Sequence, residues 1–282
     1  MNASQSEGTH HVRPAPSHRS IEVTTASVGW HNINFSVVEL SPGESFQCMS
    51  QDRETALVPL EGSARATAGP VSAKLVRDSV FTSMPSVVYA PPATQIDVTA
   101  EGHFTFAIGS APAVGKYPAR VFEPHEMKSE IRGGGTAHRQ VNHILAMPLP
   151  AEHLILYEVY VPRGTWAGWA PHCHDGREGS PYLEEVYYFR LEPANGFILH
   201  RNWRDDEGFD EQFVVRDGDA VMVTKGYHST VACPTSHMYF LNYLAGDLLD
   251  DARATPPCFH SDYVWIHDNW DVGSWRLPVV GP

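Results

Sequence analysis

The chain has 282 residues, enough for one large domain or two small ones with a real core. Lys and Arg number 20 against 33 Asp and Glu, a formal net charge of −13, and 42% of residues are hydrophobic. That composition excludes a disordered chain, and the acidic balance argues against nucleic acid or an anionic membrane as partner, since both need a basic face.

Residues 1–20 are polar with scattered Pro and read as a disordered tail. They lack the apolar core of a signal peptide, and no later run approaches the ~18 apolar residues of a membrane span, so a cytoplasmic protein is expected. From residue 21 onward, short apolar runs alternate with turn formers. Val88-Tyr89-Ala90 meets Pro91-Pro92, and Phe104–Ile108 stops at Gly109. Leu154–Val161 stops at Pro162, Phe213–Val215 meets Asp217-Gly218, and His237–Leu244 ends at Ala245-Gly246. Runs of this length, rich in β-branched and aromatic residues, are strands, and the fold class is all-β, sandwich or barrel. A charged, Gly-rich stretch over 126–144 reads as a connector between two β units, 21–125 and 145–270, with 271–282 as a C-terminal tail. The four Cys are widely spaced and read as reduced, mostly buried thiols.

The segment WAPHCHDGREGSPYLEEVYYFR carries the chemistry. His172 and His174 alternate, so a strand would put both on one face. With 16 His in the chain the pair alone is weak evidence. Glu184-Glu185 open an apolar strand, where a carboxylate is costly unless paired or bound to a cation. A further His, His228, starts another strand after Lys225-Gly226-Tyr227. Three His and a carboxylate suit Mn, Fe, Ni, Co or Zn with positions open to substrate. Cys173 should point away from the pair by alternation.

The arrangement resembles the cupins and, more closely, the 5-deoxy-glucuronate isomerase family of myo-inositol catabolism. Arg77-Asp78-Ser79-Val80-Phe81, Pro85 and Tyr89-Ala90-Pro91-Pro92 carry the resemblance in the first half. Arg132-Gly133-Gly134-Gly135 with Arg139-Gln140-Val141 carries it in the link, and LYEVYVPRGTWAGWAPHCHD, YLEEVYY, VRDGD and GYH in the second half. The resemblance implies a bicupin with one divalent metal in its C-terminal barrel, held by His172, His174, Glu185 and His228. Ten residues separate His174 from Glu185, so strand parity alone does not choose between Glu184 and Glu185. It also implies an aldose–ketose isomerase that converts 5-deoxy-D-glucuronate to 5-dehydro-2-deoxy-D-gluconate.

Further expectations follow. Glu184 is a candidate base, with Tyr187 and Tyr227 as hydrogen-bond donors to substrate hydroxyls. Arg177, Arg190 and Arg201 are candidates for the substrate carboxylate, with Arg204 and Lys225 nearby. Trp166 and Trp169 read as barrel packing. A homo-oligomer that binds a small sugar acid, with no nucleic-acid or membrane partner, is expected. The competing readings are another uronate isomerase of the superfamily, a cupin dioxygenase with an apolar pocket lacking Arg, and a non-enzymatic sugar-binding bicupin.

Overall fold

A computed structural model describes residues 10–275 and 277–280. The first unit is a curled sheet with strand order Arg19–Val23, Asn34–Leu40, Gln95–Pro112, Arg53–Ala68, Val87–Ala90 and Arg120–Phe122. Ser45–Met49 and Val71–Arg77 pair onto its two long strands. Those long strands bend where their register shifts, between Pro59 and Glu61 and between Gly62 and Ala64. Gly62 has φ +96°, and a Cβ there would overlap the His103 carbonyl, so glycine makes the bend possible. Leu57, Val88, Phe104 and Phe106 fill the resulting interior.

The second unit is a sandwich. Its seven-stranded sheet runs His11–Val12, Ala220–Val223, Leu183–Glu192, His237–Gly246, Ile155–Val161, Arg139–Leu145 and Lys128–Arg132. Its five-stranded sheet runs Phe209–Val215, Ile198–Arg204, Tyr227–Ala232, Trp166–Cys173 and Cys258–Phe259. Period-two alternation along Leu183–Glu192 splits its side chains between two cores. Tyr187 and Phe189 enter the sandwich interior with Ile198, Val215 and Phe240. Val186 and Tyr188 face the other way and pack, with Tyr243, against Phe35 and Ala107 of the first unit. Each such side chain, fully buried, contributes about 1.5–3 kcal/mol. The seven-stranded sheet is thus shared, one face for the site and one for the neighbouring unit.

Buried carboxylates tie the units together. Glu54 accepts from the backbone N–H groups of Glu152, His153 and Leu154 at 2.8, 2.6 and 2.6 Å. Glu152 accepts from those of Val114, Gly115 and Lys116 at 2.8, 2.8 and 2.9 Å. Arg77 and Glu158 form a fully buried pair at 2.7 Å, and the Tyr239 hydroxyl donates to the same carboxylate at 2.7 Å. Charge-assisted bonds of this kind offset the cost of taking a carboxylate out of water.

Two of the boundaries expected from sequence differ in the structure. Of the expected tail 1–20, residues 1–9 lie outside the described residues. The rest is ordered by pairing: His11 and Val12 align with Val221 and Ala220, His10 bonds Glu211, and His11 bonds Asp219 at 2.8 Å. The stretch 126–144 is not a bare connector, because two strands within it extend the seven-stranded sheet. The chain beyond Gly246 returns across the open end of the sandwich, where Cys258–Phe259 pairs with Cys173 and His172. The Trp270 ring there lies against Gly134, leaving no room for a Cβ. In the expected tail 271–282, residues 276, 281 and 282 lie outside the described residues. No helix among the described residues is long and apolar enough to cross a membrane.

Candidate metal centre

His172 and His228 are opposite each other in register on neighbouring strands of the five-stranded sheet. Their ring centroids are 4.4 Å apart, and those of His174 and His228 are 5.2 Å apart. Glu185 reaches the same point from the facing sheet, between Val223 and Leu244. His174, Glu185 and His228 each offer one ligand atom within 4.8 Å of the others, and all three residues are buried. Glu185 Oε2 lies 2.9 Å from His174 Nε2 and 3.4 Å from His228 Nε2, while Asn242 Nδ2 donates to Glu185 Oε1 at 2.7 Å.

The protonation pattern calls for a cation. His174 Nδ1 lies 2.9 Å from the Leu183 carbonyl and donates to it. In a neutral ring Nε2 then carries a lone pair, aimed at a carboxylate lone pair, and the contact needs a proton or a metal ion between them. Without the metal, burial disfavours a charged ring, yet the Glu185 carboxylate holds His174 above its ordinary pKa. Burial pushes Glu185 up against the pull of His174. Burial, then His174 and Arg139, push His172 down to about 3. Burial and the neighbouring His172 and His174 hold His228 well below its usual range. His228 is fully buried, and neither ring nitrogen has a hydrogen-bond partner. An orphaned Nε2 beside two more imidazoles and a carboxylate fits a divalent metal, which would take that one ring nitrogen.

His172, His174 and Glu185 line a cavity of about 160 Å³, with His228 buried behind them. The cavity walls are apolar, with Val141, Ile155, Val159, Leu183, Phe240 and Leu244, interrupted by Tyr157, Tyr187 and Asn242. Arg132, Arg139 and Arg253 also line it. Tyr187 therefore stands where expected, its ring 5.8 Å from that of His228. Burial and the Glu185 charge raise its pKa well above the phenol range, so it stays protonated and keeps a proton to donate.

The other expected site residues lie elsewhere. Glu184 points out of the sandwich and accepts from the backbone N–H groups of His31, Asn32 and Ile33 at 2.7, 2.8 and 2.8 Å. It joins the two units and cannot serve as base. Tyr227 precedes His228 and so faces the opposite way, packing with Trp203 and Cys173. Cys173 is indeed turned from the metal face, and burial pushes its thiol up to about 12. Arg177 pairs with Asp206 at 3.0 Å, and Arg190 with Asp217 at 3.0 Å. Arg201 pairs with Asp210 at 2.8 Å and lies over Trp203. Arg204 pairs with Asp175 at 3.0 Å, and Lys225 pairs with Glu207. None of these cations lines the cavity. Trp166 and Trp169 are half-buried, their rings tilted against each other with centroids 5.3 Å apart beside Tyr263, flanking exposed Leu199 and Val214 rather than filling the barrel. Sequence reasoning missed Arg132 and Arg139 as cavity residues, although both stand in the RGGG…R pattern, because that stretch was read as a link.

Comparison with known proteins agrees with this geometry. Residues 10–266 match the model of the KduI/IolB family. The chain is 39% identical over 237 residues to the 5-deoxy-glucuronate isomerase of Geobacillus kaustophilus, covering 80% of this chain and 84% of that protein. It is 37% identical over 254 residues to the enzyme of the same name from Geobacillus thermodenitrificans, covering 88% and 91%. An IolB-like protein from Salmonella typhimurium superposes with a TM-score of 0.86 at 34% identity, over 91% of this chain and 98% of that one. Oxalate decarboxylase of Bacillus subtilis, a bicupin with Mn(II) centres, superposes with a TM-score of 0.62 at 13% identity, over 86% and 79%, and shares the fold. The fold is the all-β bicupin, and the chain belongs to the KduI/IolB family.

Proposed function

We propose that the protein is a metal-dependent aldose–ketose isomerase that converts 5-deoxy-D-glucuronate to 5-dehydro-2-deoxy-D-gluconate. The observation that carries this reading is the buried imidazole–carboxylate cluster beside a cavity, in a chain that matches its isomerase relatives over most of its length. His174, Glu185 and His228 would hold one divalent ion, and His172, which faces His228 across the strand pair but lies outside that three-residue cluster, would be the fourth ligand. Mn, Fe, Ni, Co and Zn all suit such a set. When bound, the metal acts as a Lewis acid toward the carbonyl and neighbouring hydroxyl oxygens of the sugar.

The rest of the work belongs to the chain. The Leu183 carbonyl fixes the tautomer of His174, and Asn242 holds one oxygen of Glu185 so that the other faces the imidazoles. Tyr187, kept neutral, would donate to a substrate oxygen and steady the negative charge that develops there while one proton passes from C2 to C1. A dioxygenase would want an apolar pocket without arginine, and three arginines line this one.

The test is proton NMR of metal-loaded protein with 5-deoxy-D-glucuronate in D₂O. Conversion with deuterium at the new hydroxymethyl carbon supports proton transfer. Conversion without deuterium keeps the isomerase and favours a hydride shift or a shielded proton. No conversion, with bound metal confirmed, overturns the assignment.

A further inference from the structure

Three guanidinium groups line the cavity, and their hydrogen bonds separate them. Arg132 is partly exposed and already neutralised, its Nε donating to Glu130 at 2.7 Å. Arg253 is buried and spends all three nitrogens on backbone carbonyls, those of Asp250, Leu154 and Leu149. Its role is to hold that backbone in place. Arg139 differs from both. Its Nη1 donates to the carbonyls of Ala137 at 3.1 Å and Trp169 at 3.2 Å. Its Nε and Nη2 have no hydrogen-bond partner among the described residues, and no carboxylate of those residues lies within ion-pair distance.

A guanidinium seated by one nitrogen presents the Nε/Nη2 edge, the pair of parallel donors that matches a carboxylate. We propose that this edge of Arg139 binds the carboxylate of the substrate and so selects a sugar acid over a neutral sugar; this rests on the isomerase reading of the cavity. The seat is built for it. Gly133 has φ +74°, and a Cβ there would collide with the Ala137 carbonyl and crowd Nη1 of Arg139. Burial and the like charge of Arg132 push Arg139 down to about 10, the signature of a cation that lacks its anion. A half-buried unpaired charge is costly, and an incoming carboxylate offsets that cost. In a chain with net charge −13, such a site also gives an anionic substrate one local reason to enter. His172, His174 and Glu185 line the same cavity, so a sugar acid anchored at Arg139 presents its aldehyde end to them.

The experiment combines binding and turnover on the full-length, metal-loaded protein. D-Gluconate, a carboxylate probe, is titrated calorimetrically into wild type, Arg139→Gln, Arg139→Lys and Arg132→Gln, with metal content and thermal melting recorded for each. The expected result is gluconate affinity weaker by about 10- to 100-fold in Arg139→Gln, partly restored by Lys, and little changed in Arg132→Gln. In turnover, Arg139→Gln raises KM for 5-deoxy-D-glucuronate by a similar factor with kcat within a few-fold, while the C6-alcohol analogue is used no worse than by wild type. Equal gluconate affinity in wild type and folded Arg139→Gln, or equal losses for the uronate and the alcohol, overturns the proposal. Should Arg139→Gln fail to fold, a folded Arg139→Lys with wild-type gluconate affinity and wild-type KM counts against the bidentate edge. A wild type that binds gluconate through Arg139 but converts no uronate overturns the isomerase reading and leaves the anion site standing.

Discussion

Glu184 and Glu185 are neighbours on one strand and are buried alike, at 1% and 4% exposure, but they satisfy their charge in opposite ways. Glu184 meets three backbone N–H groups of the first unit. Glu185 meets imidazole nitrogens, one of them at 2.9 Å with a lone pair of its own. A carboxylate filled by backbone donors is part of the architecture, and one facing lone pairs awaits a cation. The difference comes from strand alternation in a sheet whose two faces serve two cores.

The comparison can be broken most sharply on the ligand face. His228→Ala should lose metal and at least roughly a thousandfold of activity, about 4 kcal/mol, while circular dichroism shows a folded protein. Retention of stoichiometric metal would remove His228 from the centre, and global unfolding would make it architectural instead. Tyr187→Phe should lower kcat by roughly 10- to 100-fold with metal content intact, as befits a lost donor to a charged oxygen. Unchanged kcat would reduce Tyr187 to packing.

Smaller effects sharpen the same contrast away from the site. Glu130 is held down to about 2, first by Lys128, then by His143 and Arg132, on the edge strand of the seven-stranded sheet. Its folded pKa lies below the unfolded value, so its contribution is present above about 4.5 and is lost as pH falls toward 2. Glu130→Gln should lower the urea midpoint by no more than the equivalent of about 1 kcal/mol at neutral pH, a difference that vanishes near pH 2. A constant gap across that range would contradict the linkage. Arg201→Ala, which removes only an exposed pair with Asp210, should leave KM within about twofold of wild type; a large rise in KM would return Arg201 to the substrate site.

Much of this was legible in the sequence for a physical reason: alternation and turn residues are local. Phe104–Ile108, Phe213–Val215 and His237–Leu244 read as strands and fall within strands. His172 and His174 were visible by their spacing, and the turning away of Cys173 followed from the same rule. What was not legible depends on pairing across the chain. The ten-residue insertion after His174 breaks the parity count, so the choice of Glu185 rested on family resemblance until the facing sheet settled which glutamate turns inward. Arg177, Arg190 and Arg201 were near the ligands in sequence but have acidic partners on adjacent strands or loops. Arg139 was dismissed with its Gly-rich neighbours as linkage, although Gly133 makes room for it. His11 and Val12 looked disordered because a two-residue edge strand carries no local pattern.

The most direct test of the central claim is a matched pair of variants, Glu184→Gln and Glu185→Gln, compared for bound metal, isomerase activity and urea stability. Glu185→Gln should lose the metal and the activity. Glu184→Gln should keep the metal and lose about 3 kcal/mol of stability from weakened bonds to the His31–Ile33 backbone. Full metal occupancy and activity in Glu185→Gln, or loss of the metal from a folded Glu184→Gln, would contradict the assignment of the two faces.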